Sequence, residues 1–357
     1  MLNYVKQAGR QILTRTEGVF DAVFGYEDNP FYQLGALTIF FFWVVLVSGI
    51  YVFIFFETSV TGAYESVDYL TRDQWYLGGI MRSLHRYASD AAIITIAVHI
   101  LREFVKDRYR GPRWFSWFTG VPQLWIVFPL GITGYWLVWD QLAVHVAIIS
   151  AELLDWLPIF TDPMARNFLT VENVSDRFFT LLGFIHLLGL PLFLIFGIWF
   201  HVLRITQPRV NPSRRLVVAS LAMLVVLSLI NPALSQAPAN LGFVPQTTDY
   251  DWFYLFMYAL HESSSATVVW SLLFGGSLLL ILLPWLPPLR QAPVAQVDPD
   301  HCNGCGRCFN DCPYTAISME PRTDDSPYDE IAVVDPSHCV SCGICAGACP
   351  TPYPFAA

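Results

Sequence analysis

Apolar residues gather in six long runs separated by short polar stretches: about 32–56, 77–101, 115–137, 179–203, 215–231 and 265–286. Most approach the roughly 20 residues that an α-helix needs to cross a bilayer, and the fifth is shorter. The first run begins after residue 30 and is too long and too aromatic for a cleaved signal peptide. Ahead of it, residues 1–30 carry Lys6, Arg10 and Arg15 among spaced apolar positions, the pattern of an amphipathic segment lying on the membrane surface. After residue 290 the pattern changes abruptly to a polar, cysteine-rich tail. The prediction is an all-α transmembrane bundle of six spans followed by a small α+β domain.

Charge orients the bundle. The loop after the second run carries Arg102, Lys106, Arg108, Arg110 and Arg113, and the loop after the fourth carries Arg204, Arg209, Arg214 and Arg215. With the basic N-terminal segment, these belong on the cytoplasmic side. Loops after the first, third and fifth runs are acidic or lack basic residues and face outward. Six spans return the tail to the cytoplasmic side, so both termini are expected there, in a prokaryotic cytoplasmic membrane. The net charge of −9 is too unevenly distributed to identify a partner, and nucleic acid is not expected to be one.

Two of the runs contain histidines. His85 and His99 are 14 positions apart, and His186 and His201 are 15 apart. At 100° per residue, the first spacing falls about 40° short of whole turns and the second overshoots by about 60°, so each pair faces one side of its helix. Members of a pair are separated by about 21 Å along the axis. Two such helices side by side offer two His–His sites stacked across the membrane, as two planar metal macrocycles would require. A membrane histidine is costly and marks function by default. Metal transport, the alternative, would want carboxylates or thiolates beside the imidazoles, and none directly adjoins a histidine in these runs.

All eight cysteines lie in the tail, in two copies of one motif, VDPDHCNGCGRCFNDCP at 297–313 and VDPSHCVSCGICAGACP at 334–350. Each reads Cys-x-x-Cys-x-x-Cys-x-x-x-Cys-Pro, which resembles bacterial two-cluster ferredoxins. The resemblance implies two 4Fe–4S clusters with crossed fourth ligands: Cys302, Cys305, Cys308 and Cys349 for one, and Cys339, Cys342, Cys345 and Cys312 for the other. The alternative is zinc, which would need four ligands in one tetrahedral set.

The stretches RSLHRYASDAAIITIAVHILREF and FTGVPQLWIVFPLGITGYWLVWDQ, with the His186/His201 run, resemble cytochrome b of quinol-oxidising bc-type complexes; the spacing of 15 is closer to the photosynthetic version. The resemblance implies two haems b, with His85 and His186 holding the outer one and His99 and His201 the cytoplasmic-side one. Gly35 and Gly49, and Gly120 and Gly134, are also 14 apart and correspond to the family's haem-packing glycines. Arg82 and Arg102 are either partners of haem propionates or snorkelling residues at the interface. The domains expected are 1–30, a surface segment; 31–210, a four-helix dihaem core; 211–290, two further spans; and 291–357, the ferredoxin domain.

Three departures matter. Gln33 stands where some relatives attach a further haem through cysteine, so no covalent haem is expected. Tyr250-Asp251-Trp252-Phe253 replaces the family's Pro-Glu-Trp-Tyr, leaving Asp251 as either a proton acceptor of an outer quinol site or an interfacial carboxylate. Gly134-Tyr135-Trp136-Leu137-Val138-Trp139 lacks a family proline. His145 and His261 are expected on the outer side, unpaired.

The reading is a membrane electron-transfer subunit of a quinone oxidoreductase, with quinone or menaquinone as substrate. A soluble dehydrogenase or reductase subunit is expected to dock on the ferredoxin domain, with lipid around the bundle and a homodimer by analogy with cytochrome b. No Gly-rich dinucleotide fingerprint and no Rieske-type ligand pair occur. The alternatives are quinol oxidation at the outer face with electrons driven inward, a membrane anchor for a soluble dehydrogenase, and a transmembrane metal reductase.

Overall fold

The computed structural model describes residues 2–106, 108–110, 113–159, 169–170, 174–205, 208–243, 250–286, 294–312, 314–339, 343–351 and 355–356. Helix α1 (Leu2–Phe24) is amphipathic and precedes α2 (Leu34–Phe55). Then come α3 (Gly62–Arg72), α4 (Ile80–Val105), α5 (Trp114–Val138) and α6 (Gln141–Asp155). They are followed by α7 (Asp176–Phe184), α8 (Leu190–Val202), α9 (Arg214–Ile230), α10 (Phe256–Ser263) and α11 (Ala266–Leu282). Single π-helical turns at Trp75–Gly79 and Ile185–Gly189 lead into α4 and join α7 to α8.

Among the described residues, four helical stretches are long and apolar enough to cross a membrane: Pro30–Phe55, Trp114–Val138, Asp176–Val202 and Ala266–Trp285. The two other expected spans are helical but qualify less simply. Helix α4 is 26 residues long but carries Arg82, Arg86, Asp90, Arg102 and Glu103, while α9 has 17 residues and opens on two arginines. Three helices lie where the sequence reading expected loops: α3, α6 and α10. The start of α6 is set by Asp140, whose carboxylate accepts a hydrogen bond from the Ala143 amide at 2.9 Å, a cap worth about 1 kcal/mol.

Helices α2 and α4 pack closely, as do α5 and α8. Ala36, Ser48, Ala88 and Ala92 are buried in the first pair, and small residues let helix backbones approach where lipid offers no hydrophobic drive. The tail forms a separate small core of Cys308, Ile317, Ala332 and Cys345. Its strands β1 (Gln296–Val297) and β4 (Phe355–Ala356) pair antiparallel, as do β2 (Ile317–Pro321) and β3 (Glu330–Val334). Short helices α12 (Arg307–Asp311) and α13 (Ile344–Ala348), one within each cysteine repeat, pack against each other. Each opens at the same place in its repeat, at Gly306 and Gly343, with φ of 69° and 72°, values that suit glycine.

Helix α1 and the tail meet the same end of the bundle. Glu17 of α1 accepts hydrogen bonds from Arg102 at 2.8 Å and Lys106 at 2.5 Å. Arg113 reaches Asp311 of α12 at 3.5 Å, and Arg108 donates to the Ala346 carbonyl of α13 at 3.5 Å. Burial and neighbouring Arg102 pull the Lys106 ammonium down to about 8, outweighing Glu17. Its folded value lies below its ordinary 10.5, so the unfolded chain binds more protons between those limits and this group's contribution to folding stability rises with pH through that window. Glu17→Gln removes the nearer of Arg102's two carboxylate partners, leaving Glu103 at 3.6 Å, and is expected to cost about 1–3 kcal/mol. Limited proteolysis of the N-terminal helix and the unfolding temperature in detergent measure this; unchanged values would contradict the assignment.

Candidate functional site

The four histidines come together in two pairs. The rings of His85 and His186 are 6.2 Å apart, centre to centre, and those of His99 and His201 are 6.3 Å apart. A metal ion between two imidazoles needs about 2 Å to each nitrogen and about 1.1 Å from nitrogen to ring centre, or about 6.2 Å in all. Both pairs therefore stand at the distance for one metal sandwiched between them.

The unequal spacings of 14 and 15 are reconciled by the π-turn at Ile185–Gly189, which contains His186. A π-turn takes up one extra residue, so the 15 positions between His186 and His201 cover the rotation and rise of 14. The second pair thus matches the first in offset as well as in height. The sequence signal for this was Pro191, which follows the wide turn; proline inside a helix removes a hydrogen bond and forces local rearrangement.

Each of the four glycines faces one imidazole. A Cβ built on Gly49 would stand 2.7 Å from Cε1 of His85, and one on Gly134 3.0 Å from Cε1 of His186. On Gly120 it would stand 3.2 Å from Cε1 of His201, and on Gly35 3.8 Å from Cε1 of His99. The glycines make room for the ligand rings themselves. His85 Nδ1 lies 2.9 Å from the Val45 carbonyl and His186 Nδ1 lies 3.0 Å from Thr133 Oγ1. Occupying Nδ1 this way leaves Nε2 to face a metal.

A cavity of about 350 Å³ opens at His99 and His201. Its wall includes Gly35, Gly120, Arg102 and Arg113 from the bundle, and Arg307 and Gly347 from the tail. The space, its two imidazoles and its basic rim fit a planar, acid-bearing macrocycle. Arg102 is simultaneously the buried partner of Glu17. At the other end, Arg82 donates to Thr71 Oγ1 and, at 2.8 Å, to Ser235 Oγ.

Asp251 is buried. It accepts hydrogen bonds from Arg86 at 2.8 Å and from the Tyr135 hydroxyl. Arg86 also holds Asp90 at 2.9 Å. The sequence reading missed Arg86, Asp90 and Tyr135; the available signal was two charges four apart on a membrane helix beside a metal ligand. His145 is not unpaired. Its Nε2 lies 2.5 Å from the Tyr250 hydroxyl and 3.1 Å from Glu262, because α6 and α10 fold where loops were expected. Burial, then Glu262, hold the Tyr250 phenol above its ordinary value, so it stays protonated and able to donate.

In the tail, burial pushes the Cys308 thiol up to about 12, and Cys349, Cys305 and Cys302 act in the same direction. Cys349 senses Cys305 and Cys302 in turn. The last cysteine of the second repeat is therefore near enough to the first three of the first repeat for their charges to interact. Among the described residues no three His, Cys, Asp or Glu side chains are placed to hold one metal ion. A polynuclear cluster suits this donor set, and its binding would drive the thiols to thiolates. Cys339 is half-buried, Cys345 is buried and Cys312 accepts a hydrogen bond from the Ala316 amide at 3.3 Å. Cys342 lies outside the described residues.

The bundle and tail together define a membrane haem protein joined to an iron–sulfur module. The chain belongs to the cytochrome b/b6 family: the pattern Cytochrome b/b6/petB matches residues 23–208, and a 4Fe-4S dicluster domain matches 301–352. Cytochrome b6 of Prochlorococcus marinus strain MIT 9303 is 30% identical over 183 residues, which cover 51% of this chain and 84% of that one. The strain NATL1A protein is 28% identical over the same length. A chain of a hyperthermophilic respiratory Complex III shares the fold, with a TM-score of 0.58 at 20% identity, covering 72% of this chain and 75% of that one. Family membership brings haem b to the bundle and iron–sulfur clusters to the tail, as the histidine and cysteine patterns led us to expect.

The glycine contacts make an ordered prediction. Gly49→Ala pushes a methyl into His85 and should remove most of the haem signal from that pair, whereas Gly35→Ala should retain it. Reduced-minus-oxidised spectra of the two variants measure this; equal retention would contradict the contact geometry.

Proposed function

We propose that the protein is the membrane electron-transfer subunit of a quinone oxidoreductase complex. It passes electrons from two cytoplasmic 4Fe–4S clusters, through two haems b, to quinone or menaquinone. The observation that carries this reading is that tail residues Arg307, Asn310, Asp311, Gly347 and Ala348 border the same cavity as His99 and His201. The tail helices and one imidazole pair thus line the same cavity.

In this reading His85 and His186 hold the outer haem, and His99 and His201 the cytoplasmic-side haem. Cys302, Cys305, Cys308 and Cys349 hold one cluster, and Cys339, Cys342, Cys345 and Cys312 the other. These groups supply one-electron chemistry; the chain positions them. All six apolar helices span the membrane, with α4 and α9 completing the count. Charges on α4 are tolerated because they are paired inside the protein: Arg102 with Glu17, and Arg86 with Asp90 and Asp251. The basic loops support a cytoplasmic location for α1 and the tail.

Quinone is handled at the outer end, where Asp251, Tyr135 and Arg86 provide a carboxylate, a hydroxyl and a cation in contact. A soluble dehydrogenase or reductase subunit feeds the tail at its exposed face, where Cys305 is accessible. The likeness to a Complex III chain supports membership of a multisubunit respiratory assembly.

Replacing His99 and His201 together by Ala should abolish one of two b-type signals and halt cluster-to-quinone turnover, while the clusters remain reducible from the cytoplasmic side. Undiminished turnover would overturn the route. In a redox titration of the intact complex, clusters below both haems, and haems below quinone, support outward flow; the reverse order would establish quinol oxidation driving electrons inward.

A further inference from the structure

Asp90 has no role in the function described so far. It lies on α4, five positions beyond His85 and four beyond Arg86, and one Arg86 nitrogen serves both Asp90 at 2.9 Å and Asp251 at 2.8 Å. The two carboxylate side chains are 12% and 4% exposed. Tyr135 of α5 donates to Asp251, and the guanidinium lies 5.1 Å from the centre of its ring. The remaining titratable groups facing the cluster are Tyr87 on α4 and Tyr254, whose hydroxyl accepts a hydrogen bond from the Ser89 hydroxyl at 2.7 Å. The positive charge acting on Asp90 comes from Arg86 alone, opposed by Asp251.

The charge count is therefore one guanidinium against two carboxylates in a buried place. A buried ion pair is tolerable when balanced, and an excess charge there is expensive. One proton shared by the two carboxylates would cancel the excess, and a further negative charge nearby favours its uptake. An electron arriving between His85 and His186 adds another negative charge close by, because Arg86 directly follows His85 in the chain. We propose that Asp90 is a redox-linked proton site: Asp90 and Asp251 together take up one proton when an electron reaches the outer haem, and release it when that electron leaves. The electron comes from the cytoplasmic clusters or, in reverse flow, from quinol. The proton comes from the outer aqueous phase, so the electron's charge is matched by the proton's.

A polar exit runs beside the cluster. Tyr250 precedes Asp251, its hydroxyl lies 2.5 Å from His145, and His145 lies 3.1 Å from Glu262, whose side chain is 45% exposed. This string of three groups leads from the segment that carries Asp251 to the surface. The inference rests on the assignment of a haem to His85 and His186.

The test is a redox titration of each haem in the detergent-solubilised complex, from mildly acidic to mildly alkaline pH. In the native protein the reduction equilibrium of the outer haem should change up to tenfold per pH unit across part of that range, equivalent to about 59 mV for one electron. Asp90→Asn keeps a hydrogen-bonding group but leaves Arg86 balanced by Asp251 alone, and should flatten the dependence without removing the haem. Asp251→Asn leaves the complementary balanced pair and should flatten it too, which keeps the test decisive if one variant does not assemble. Proton uptake on reduction, followed with a pH dye, should fall by about one proton per outer haem in either variant. A pH-independent native potential, or a native slope persisting in Asp90→Asn, would overturn the inference. Absence of a second b-type signal from the native protein would instead overturn the haem assignment beneath it.

Discussion

Two imidazoles facing one another across about 6.2 Å set the terms for the rest of the fold. The distance leaves a place for one metal and no more, and it must be held twice, at two depths, by helices that have little hydrophobic drive to associate in lipid. Close helix approach is achieved with small residues: Ala36 and Ser48 on α2 and Ala88 and Ala92 on α4 are all buried. Clearance for the rings is achieved with glycine, one opposite each histidine. The one-residue mismatch between the two histidine helices is absorbed by a π-turn at the ligand itself. Each of these local features is costly or unusual alone, and together they serve the same separation.

The two ends of the bundle are chemically unlike. At the His99 end, Arg102, Arg108 and Arg113 gather around Glu103, α1 closes over Arg102 through Glu17, and the tail rests on Arg108 and Arg113. Gly347 lies directly against the Arg108 side chain, where a Cβ would come within 2.9 Å, so α13 can sit flush on the bundle. At the His85 end one arginine is shared by two acids and a tyrosine. A basic end suits acidic groups and a docked electron carrier. An end with more acid than base suits proton exchange.

Much of this was legible in the sequence because the constraints repeat. Four histidines at matching spacings and eight cysteines in two identical runs leave few alternatives, and the family follows from them. Gly35, Gly49, Gly120 and Gly134 were found by spacing, though their contact with the imidazoles was visible only in three dimensions. What escaped was what depends on segments meeting across the fold. The sequence leaves Asp251 as either a proton acceptor or an interfacial carboxylate, and only the fold brings Arg86, 165 positions away, to hold it. His145 reads as solitary until α6 and α10 bring it to Tyr250 and Glu262. The helices α3, α6 and α10 were hidden because they are too short to span a bilayer and lie between runs that do.

The central claim is that the tail's clusters and the His99/His201 haem form one continuous electron path within this chain. It is tested most directly by the electron-spin relaxation of the reduced clusters, measured with the haems oxidised and again with them reduced. The account predicts faster relaxation of the clusters when the nearby haem is paramagnetic, with the enhancement lost in the His99→Ala, His201→Ala variant. Identical relaxation in both haem states would contradict it.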